Sequence, residues 1–140
     1  ITTHGIGPHI YANLPYDPLK DFAPIVLSAT LPVMLMVNAQ VPVKSVSELK
    51  GKSIGVPGLL GSQQISAKFI LKHYGLDPDR DVIYRVVDTG SRIAAMQAGT
   101  IDSSMMDYGE AFRAKKAGLK FLVNAADLHG LIAGGRKGLF

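Results

Sequence analysis

The feature that most constrains this chain is a rhythm that runs from Val46 onward. A strand-like run is followed by a turn holding Gly or Ser, then by a helix-like run that stops at Gly. Residues 53–56 form a brief apolar run, Pro57-Gly-Leu-Leu-Gly61 a turn, and Ser62 can cap a helix. In that helix Ile65, Phe69, Ile70 and Tyr74 fall at helical spacing, and Gly75 ends it. Residues 82–87 are rich in β-branched and aromatic side chains and predict a strand. Thr89-Gly-Ser91 then turns into a helix over 92–98 closed by Gly99, and a weaker strand follows over 101–106. A helix over 108–117 ends at Gly118, and residues 120–123 read as a further strand. Ser45-Val-Ser-Glu48 has capping-box spacing and opens a short helix stopping at Gly51. Such alternation predicts an α/β fold with a mainly parallel sheet, right-handed crossovers and helices covering both faces.

The first 43 residues lack that cycle. A short helix is expected over 9–13, a turn-rich stretch over 14–18, and extended apolar runs over 22–27 and 33–37. They read as part of another lobe or as a strand-rich attachment, with 41–44 as the link. A length of 140 residues, 47% of them hydrophobic, suits one domain with a real core and excludes disorder. No Cys means no disulfide scaffold, and Met105 and Met106 read as core filling. The net charge of +4 comes with no basic run longer than two residues, so no nucleic-acid footprint is drawn. The longest apolar stretch, 31–39, is too short for a membrane span, and the N-terminus shows no signal-peptide pattern.

In an open parallel sheet ligands bind beyond the carboxyl ends of the strands. Three loops qualify: 57–63, 88–92 and 107–110. The first two place Gly beside Ser where a helix starts, so Gly58, Ser62, Thr89, Gly90 and Ser91 offer main-chain donors and helix dipoles to an anion. Plain helix capping is the competing explanation for each. Asp107 and Tyr108 form a polar pair after a strand, where Asp107 is either a cap or an orienting group. Arg92 could meet an anion, although an exposed first-turn Arg is the simpler reading. The four His are scattered without metal-ligand spacing, and no nucleophile elbow or phosphate loop occurs, so neither catalysis nor a metal or cofactor is expected.

Two sets of motifs carry a resemblance. Thr2-Thr-His-Gly-Ile-Gly-Pro8, Leu14-Pro-Tyr-Asp-Pro-Leu-Lys-Asp-Phe-Ala-Pro24, Val33-Met-Leu-Met-Val-Asn38 and Val41-Pro-Val-Lys-Ser-Val-Ser-Glu48 resemble the solute-binding proteins of tripartite tricarboxylate transporters. Leu49-Lys-Gly-Lys-Ser-Ile-Gly-Val56, Gly75-Leu-Asp-Pro-Asp-Arg-Asp-Val82 and Arg92-Ile-Ala-Ala-Met-Gln-Ala-Gly-Thr-Ile-Asp102 are more similar to another group. These are the ABC-type binders of sulfonate, nitrate and thiamine precursors. Both groups share the two-lobed periplasmic binding fold. The resemblance therefore implies a periplasmic-binding-protein-like lobe with an incomplete second lobe. Residues 1–38 would be the remnant of lobe one and the outgoing hinge strand, 39–130 lobe two, and 131–140 the return hinge segment.

The implied function is non-catalytic capture of a small, anionic organic solute between lobes in the periplasm, and its delivery to a membrane permease. By the same resemblance Thr3, His4, Thr30 and Leu31 contribute from lobe one. Tricarboxylate-type binders usually carry Asn where this chain has Gly7, and the thiamine-precursor synthases of this fold rely on a Cys-rich motif that this chain lacks. A regulatory effector-binding module on the same fold is the alternative. Exposed sheet edges in an incomplete lobe predict self-association as a homo-oligomer.

Overall fold

A computed structural model describes residues 15–17, 20–23, 25 and 33–123. The chain divides into two compact units, 1–30 and 31–140. The helix predicted over 9–13, most of the run over 22–27 and the return segment at 131–140 lie outside the described residues.

The second unit holds the predicted alternation. Its elements are β1 (Val33–Val37), a 3-10 turn (Val46–Leu49), β2 (Ser53–Val56), α1 (Ser62–His73), β3 (Ile83–Val86), α2 (Arg92–Gln97), β4 (Ser103–Asp107), α3 (Tyr108–Lys116) and β5 (Lys120–Val123). The five strands form one sheet in the order β3-β2-β4-β1-β5. β2 pairs in parallel with both β3 and β4. β1 runs antiparallel between β4 and β5, opposing Val33 to Asp107 and Val37 to Lys120. Four strands thus share one direction, and β1 alone runs against them.

Alternation along the strands splits the core in two. Leu35, Val37, Ile54, Val56 and Met105 face α1 and pack on Ala67, Ile70 and Leu71. Met34, Met36 and Met106 face the other way, onto Met96 of α2 and Ala111 and Ala114 of α3. Met105 and Met106 are both fully buried, on opposite faces, as core filling requires. Helix stops follow the left-handed glycine rule. At the end of α1, Gly75 takes φ +80°, its N–H donates to the Lys72 carbonyl, and the Leu76 N–H reaches back to Leu71.

Two local expectations are corrected. Phe69 and Tyr74 are exposed, at 62% and 42%, because α1 turns Gln64, Ala67, Ile70 and Leu71 inward instead. The capping box is only half built. The Glu48 carboxylate accepts from the Lys44 N–H and the Ser45 hydroxyl, but Ser45 caps no backbone N–H of its short 3-10 turn.

The edge where β2 and β4 begin is closed by side chains. The Asp102 carboxylate accepts from the Ser53 N–H at 2.9 Å and hydroxyl at 2.7 Å, and the Ser53 hydroxyl accepts in return from the Asp102 N–H. Burial alone would raise the Asp102 pKa, but these hydrogen bonds, with Lys52 and Arg85 nearby, hold it below the usual value. A carboxylate with a lowered folded-state pKa stabilises the fold above the unfolded value of about 3.9 and loses that contribution as pH falls through the folded value. Asp102→Asn is therefore expected to lower the melting temperature at neutral pH, with the difference from wild type closing as pH falls below the ordinary carboxylate range. The phase of α1 yields a second expectation in chemical denaturation. Leu71→Ala should cost about 2–5 kcal/mol, whereas Phe69→Ala should stay within about 0.5 kcal/mol of wild type.

Candidate functional site

Parallel register decides where the loops emerge. Val56 lies opposite Val86, and β4 runs the same way as β2, so the carboxyl ends of β2, β3 and β4 open on one edge. Gly58, Ser62, Thr89, Gly90, Ser91, Asp107 and Tyr108 all stand at that edge. The amino end of β1 arrives there too, since Val33 faces Asp107. Thr3, His4, Thr30 and Leu31 lie outside the described residues.

The loop from β2 into α1 is the most open to an incoming group. Gly61 is the N-cap, with extended backbone and no side-chain cap, and the first turn of α1 holds no acidic residue. Ser62 is thus the first helical residue and not the cap expected of it. The positive end of a twelve-residue helix is left to backbone N–H groups, which favour an anion. Just before it, Leu60 takes φ +64°, a left-handed conformation costly for a side chain of its size. Its N–H donates to the Gln64 side-chain oxygen at 2.6 Å, which holds the turn in place.

The neighbouring loops contribute differently. Ser91 has helical backbone and makes no side-chain cap, while its N–H donates to the Asp88 carbonyl. Asp107 caps α3, its carboxylate accepting from the Glu110 N–H at 2.9 Å. Tyr108 stands 63% exposed beside it.

Arg92 overturns its sequence reading. It is fully buried, where an exposed first-turn residue was expected. One guanidinium nitrogen donates to the Gln63 side chain at 2.5 Å and to the Met105 carbonyl, and the other to Thr89 at 3.3 Å and Glu110 at 2.5 Å. One side chain therefore ties α1, the loop after β3, β4 and α3 together directly beneath the edge. Glu110, 1% exposed, is the partner that the sequence did not disclose. An acid in a first helical turn ordinarily reads as a dipole partner, and the only available signal was the presence of a second charge, Arg92, at the start of the preceding helix. Burial pushes the Glu110 carboxyl above its ordinary pKa, the Arg92 charge pulls it back, and Asp107 adds to the push. Arg92 Nε and Glu110 Oε1 are buried without a hydrogen-bond partner.

Among the described residues no group of three or more His, Asp or Glu could hold a metal ion. Among them also, no helix is long and apolar enough to cross a membrane.

Solved structures share the fold of this sheet and its flanking helices. The chain matches the periplasmic aliphatic sulphonate binding protein SsuA from Escherichia coli with a TM-score of 0.61 at 22% identity, covering 69% of this chain and 31% of that one. It matches the alkanesulfonate-binding protein SsuA from Xanthomonas axonopodis pv. citri, bound to MOPS, with a TM-score of 0.59 at 21% identity, covering 70% and 35%. A structure described as a periplasmic transporter gives a TM-score of 0.63 at 24% identity, covering 86% and 43%. The chain thus spans less than half the length of each. Residues 17–134 match the NMT1/THI5 like family model, and the chain belongs to that family. No curated protein matches it. Of the two groups the sequence resembles, these findings fall with the sulfonate-type ABC binders, and they give no support to the tripartite tricarboxylate group.

The Arg92–Glu110 pair carries a prediction about the site's frame. Glu110→Ala leaves a buried unpaired guanidinium and should cost about 3–5 kcal/mol in denaturant unfolding. The double replacement Arg92→Met with Glu110→Leu should cost far less than the sum of the single changes, because no charge is then stranded.

Proposed function

We propose that this chain supplies one lobe of a solute-binding protein that captures a small anionic organic solute, without altering it, for a membrane permease. The observation that carries this reading is the convergence of loops at one sheet edge around the uncapped amino end of α1. Ser62 and the main chain around Gly58 would supply hydrogen bonds, each worth about 1 kcal/mol net. Thr89, Gly90 and Ser91 would line the adjoining wall, with Tyr108 against the solute's apolar part. Asp107 would orient a donor group on the solute, since its carboxylate repels an anion. Thr3, His4, Thr30 and Leu31 complete the proposed contacts from the lobe-one side, with 33–38 as the outgoing hinge. Closure about such a hinge would be driven by the solute's preference for the closed form.

Sulfonates are the first class to try, since the SsuA structures are named for them. Membership of a family whose solved neighbours are periplasmic binding proteins supports a periplasmic location and a permease partner. Self-association finds no support in these comparisons.

Thermal unfolding with millimolar ethanesulfonate, MOPS, succinate and glutamate tests the reading. A solute at one hundred times its Kd should add about 2.7 kcal/mol of stability. Ser62→Asp, which sets a carboxylate at the amino end of α1, should weaken binding about tenfold. An unchanged melting temperature with every anion, or equal affinity in the Ser62→Asp variant, would defeat the proposal.

A further inference from the structure

A second surface of the same unit is marked by charge. Arg113, Lys115, Lys116 and Lys120 lie within eight residues, all exposed, on the last turns of α3 and the start of β5. No acidic residue occurs between Ala111 and Val123. Leaving these four aside, the chain's remaining basic residues equal its 11 acidic ones, so this segment accounts for the entire net charge of +4. Elsewhere among the described residues five basic side chains are paired, Lys20 with Asp17, Lys50 with Asp81, Lys68 with Asp79, Arg80 with Asp77 and Arg92 with Glu110, while Lys44, Lys52, Lys72 and Arg85 enter no ion pair. Among the described residues none of the four in this segment enters an ion pair either.

Aromatic rings stand among these cations. Phe112 is 54% exposed and carries the Lys116 ammonium 4.9 Å from its ring centre. Phe121 is 37% exposed and carries the Lys115 ammonium at 5.7 Å. α3 turns Glu110, Ala111 and Ala114 inward, so Phe112, Lys115 and Lys116 share its outer, convex side. Exposed rings beside flexible ammonium groups suit the boundary of a lipid bilayer. There a ring can sit at acyl-chain level while each lysine extends its stem and keeps its charge among phosphates. A convex helix face offers no groove to hold an acidic peptide, whereas a broad anionic surface needs none.

We infer that the outer side of α3 and the start of β5 form a docking surface for an anionic lipid bilayer. Along α3 the patch runs from Phe112, about 6 Å from Tyr108, to Lys116, about 12 Å from it, toward the end opposite the candidate solute site. A chain held there keeps its binding edge directed away from the membrane-contacting turn. The inference is independent of solute capture.

Co-sedimentation of the full 140-residue chain with vesicles tests it. Vesicles of phosphatidylcholine with about one third phosphatidylglycerol should bind the chain at low salt, and phosphatidylcholine alone should not, because each basic residue near the surface adds about fivefold to partitioning. Lys115→Glu with Lys116→Glu should lower the partition coefficient at least tenfold, and Phe112→Ser severalfold, with the far-ultraviolet circular dichroism unchanged. Lys44→Glu with Lys72→Glu, an equal charge change elsewhere, should retain most of the binding. The inference is overturned if the anionic vesicles fail to bind the chain, or if the two double variants lose binding equally. Capture by soluble polyglutamate together with failure on vesicles overturns it as well, in favour of an acidic protein partner.

Discussion

Beneath the candidate site one guanidinium holds separate elements to a common edge. Arg92 opens α2, yet its nitrogens reach Gln63 on α1, Thr89 in the loop after β3, the Met105 carbonyl of β4 and Glu110 on α3. Removing both charges from water is expensive, and their attraction and the hydrogen bonds to Gln63, Thr89 and Met105 work against that cost, while Arg92 Nε and Glu110 Oε1 stay unpartnered. The planar fork of an arginine fits such a junction, since five donors leave it in fixed directions. A lysine there would present three donors from a single point.

That junction has functional meaning because of the sheet beneath it. Parallel pairing of β2 with β3 and β4 sends three loops out on the same side, and a βα crossover permits no other arrangement when successive strands run in one direction. The amino end of α1 is left with backbone donors and no acidic neighbour. Its counterpart on α3 is already occupied by the Asp107 carboxylate. Two helix starts at one edge thus differ in kind. In the proposed reading the one after β2 would receive an anion and the one after β4 would repel it, so that a solute with unlike ends would be oriented along the edge. Family membership and the shared fold fit such a role.

Much of this was legible in the chain. Runs of β-branched residues, turns and terminal glycines mark β2 to β5 and the three helices to within one or two residues, because these signals are local. The candidate loops followed from the parallel topology those elements imply. The phase of α1 was not legible. Phe69 is more apolar than Gln64 and Ala67, yet the close approach of helix to sheet favours the small Ala67, and Gln64 is turned in by its bond to the Leu60 N–H. Hydropathy ranks side chains by transfer cost and is blind to the room available. Arg92 misled for a similar reason, since an arginine is read as exposed unless its partner is known, and Glu110 lies 18 residues away. The antiparallel placement of β1 between β4 and β5 was also hidden, because a strand with no preceding cycle carries no information about its neighbours.

By itself the sequence determined the elements, their alternation and the class of fold, all of which depend on periodicity and turn chemistry within some ten residues. Tertiary structure alone decided which strand lies between which, which face of α1 is covered, and that Arg92 and Glu110 meet out of water. Those outcomes depend on shape, on charge pairing across distant segments and on desolvation, quantities that exist only once the segments are side by side.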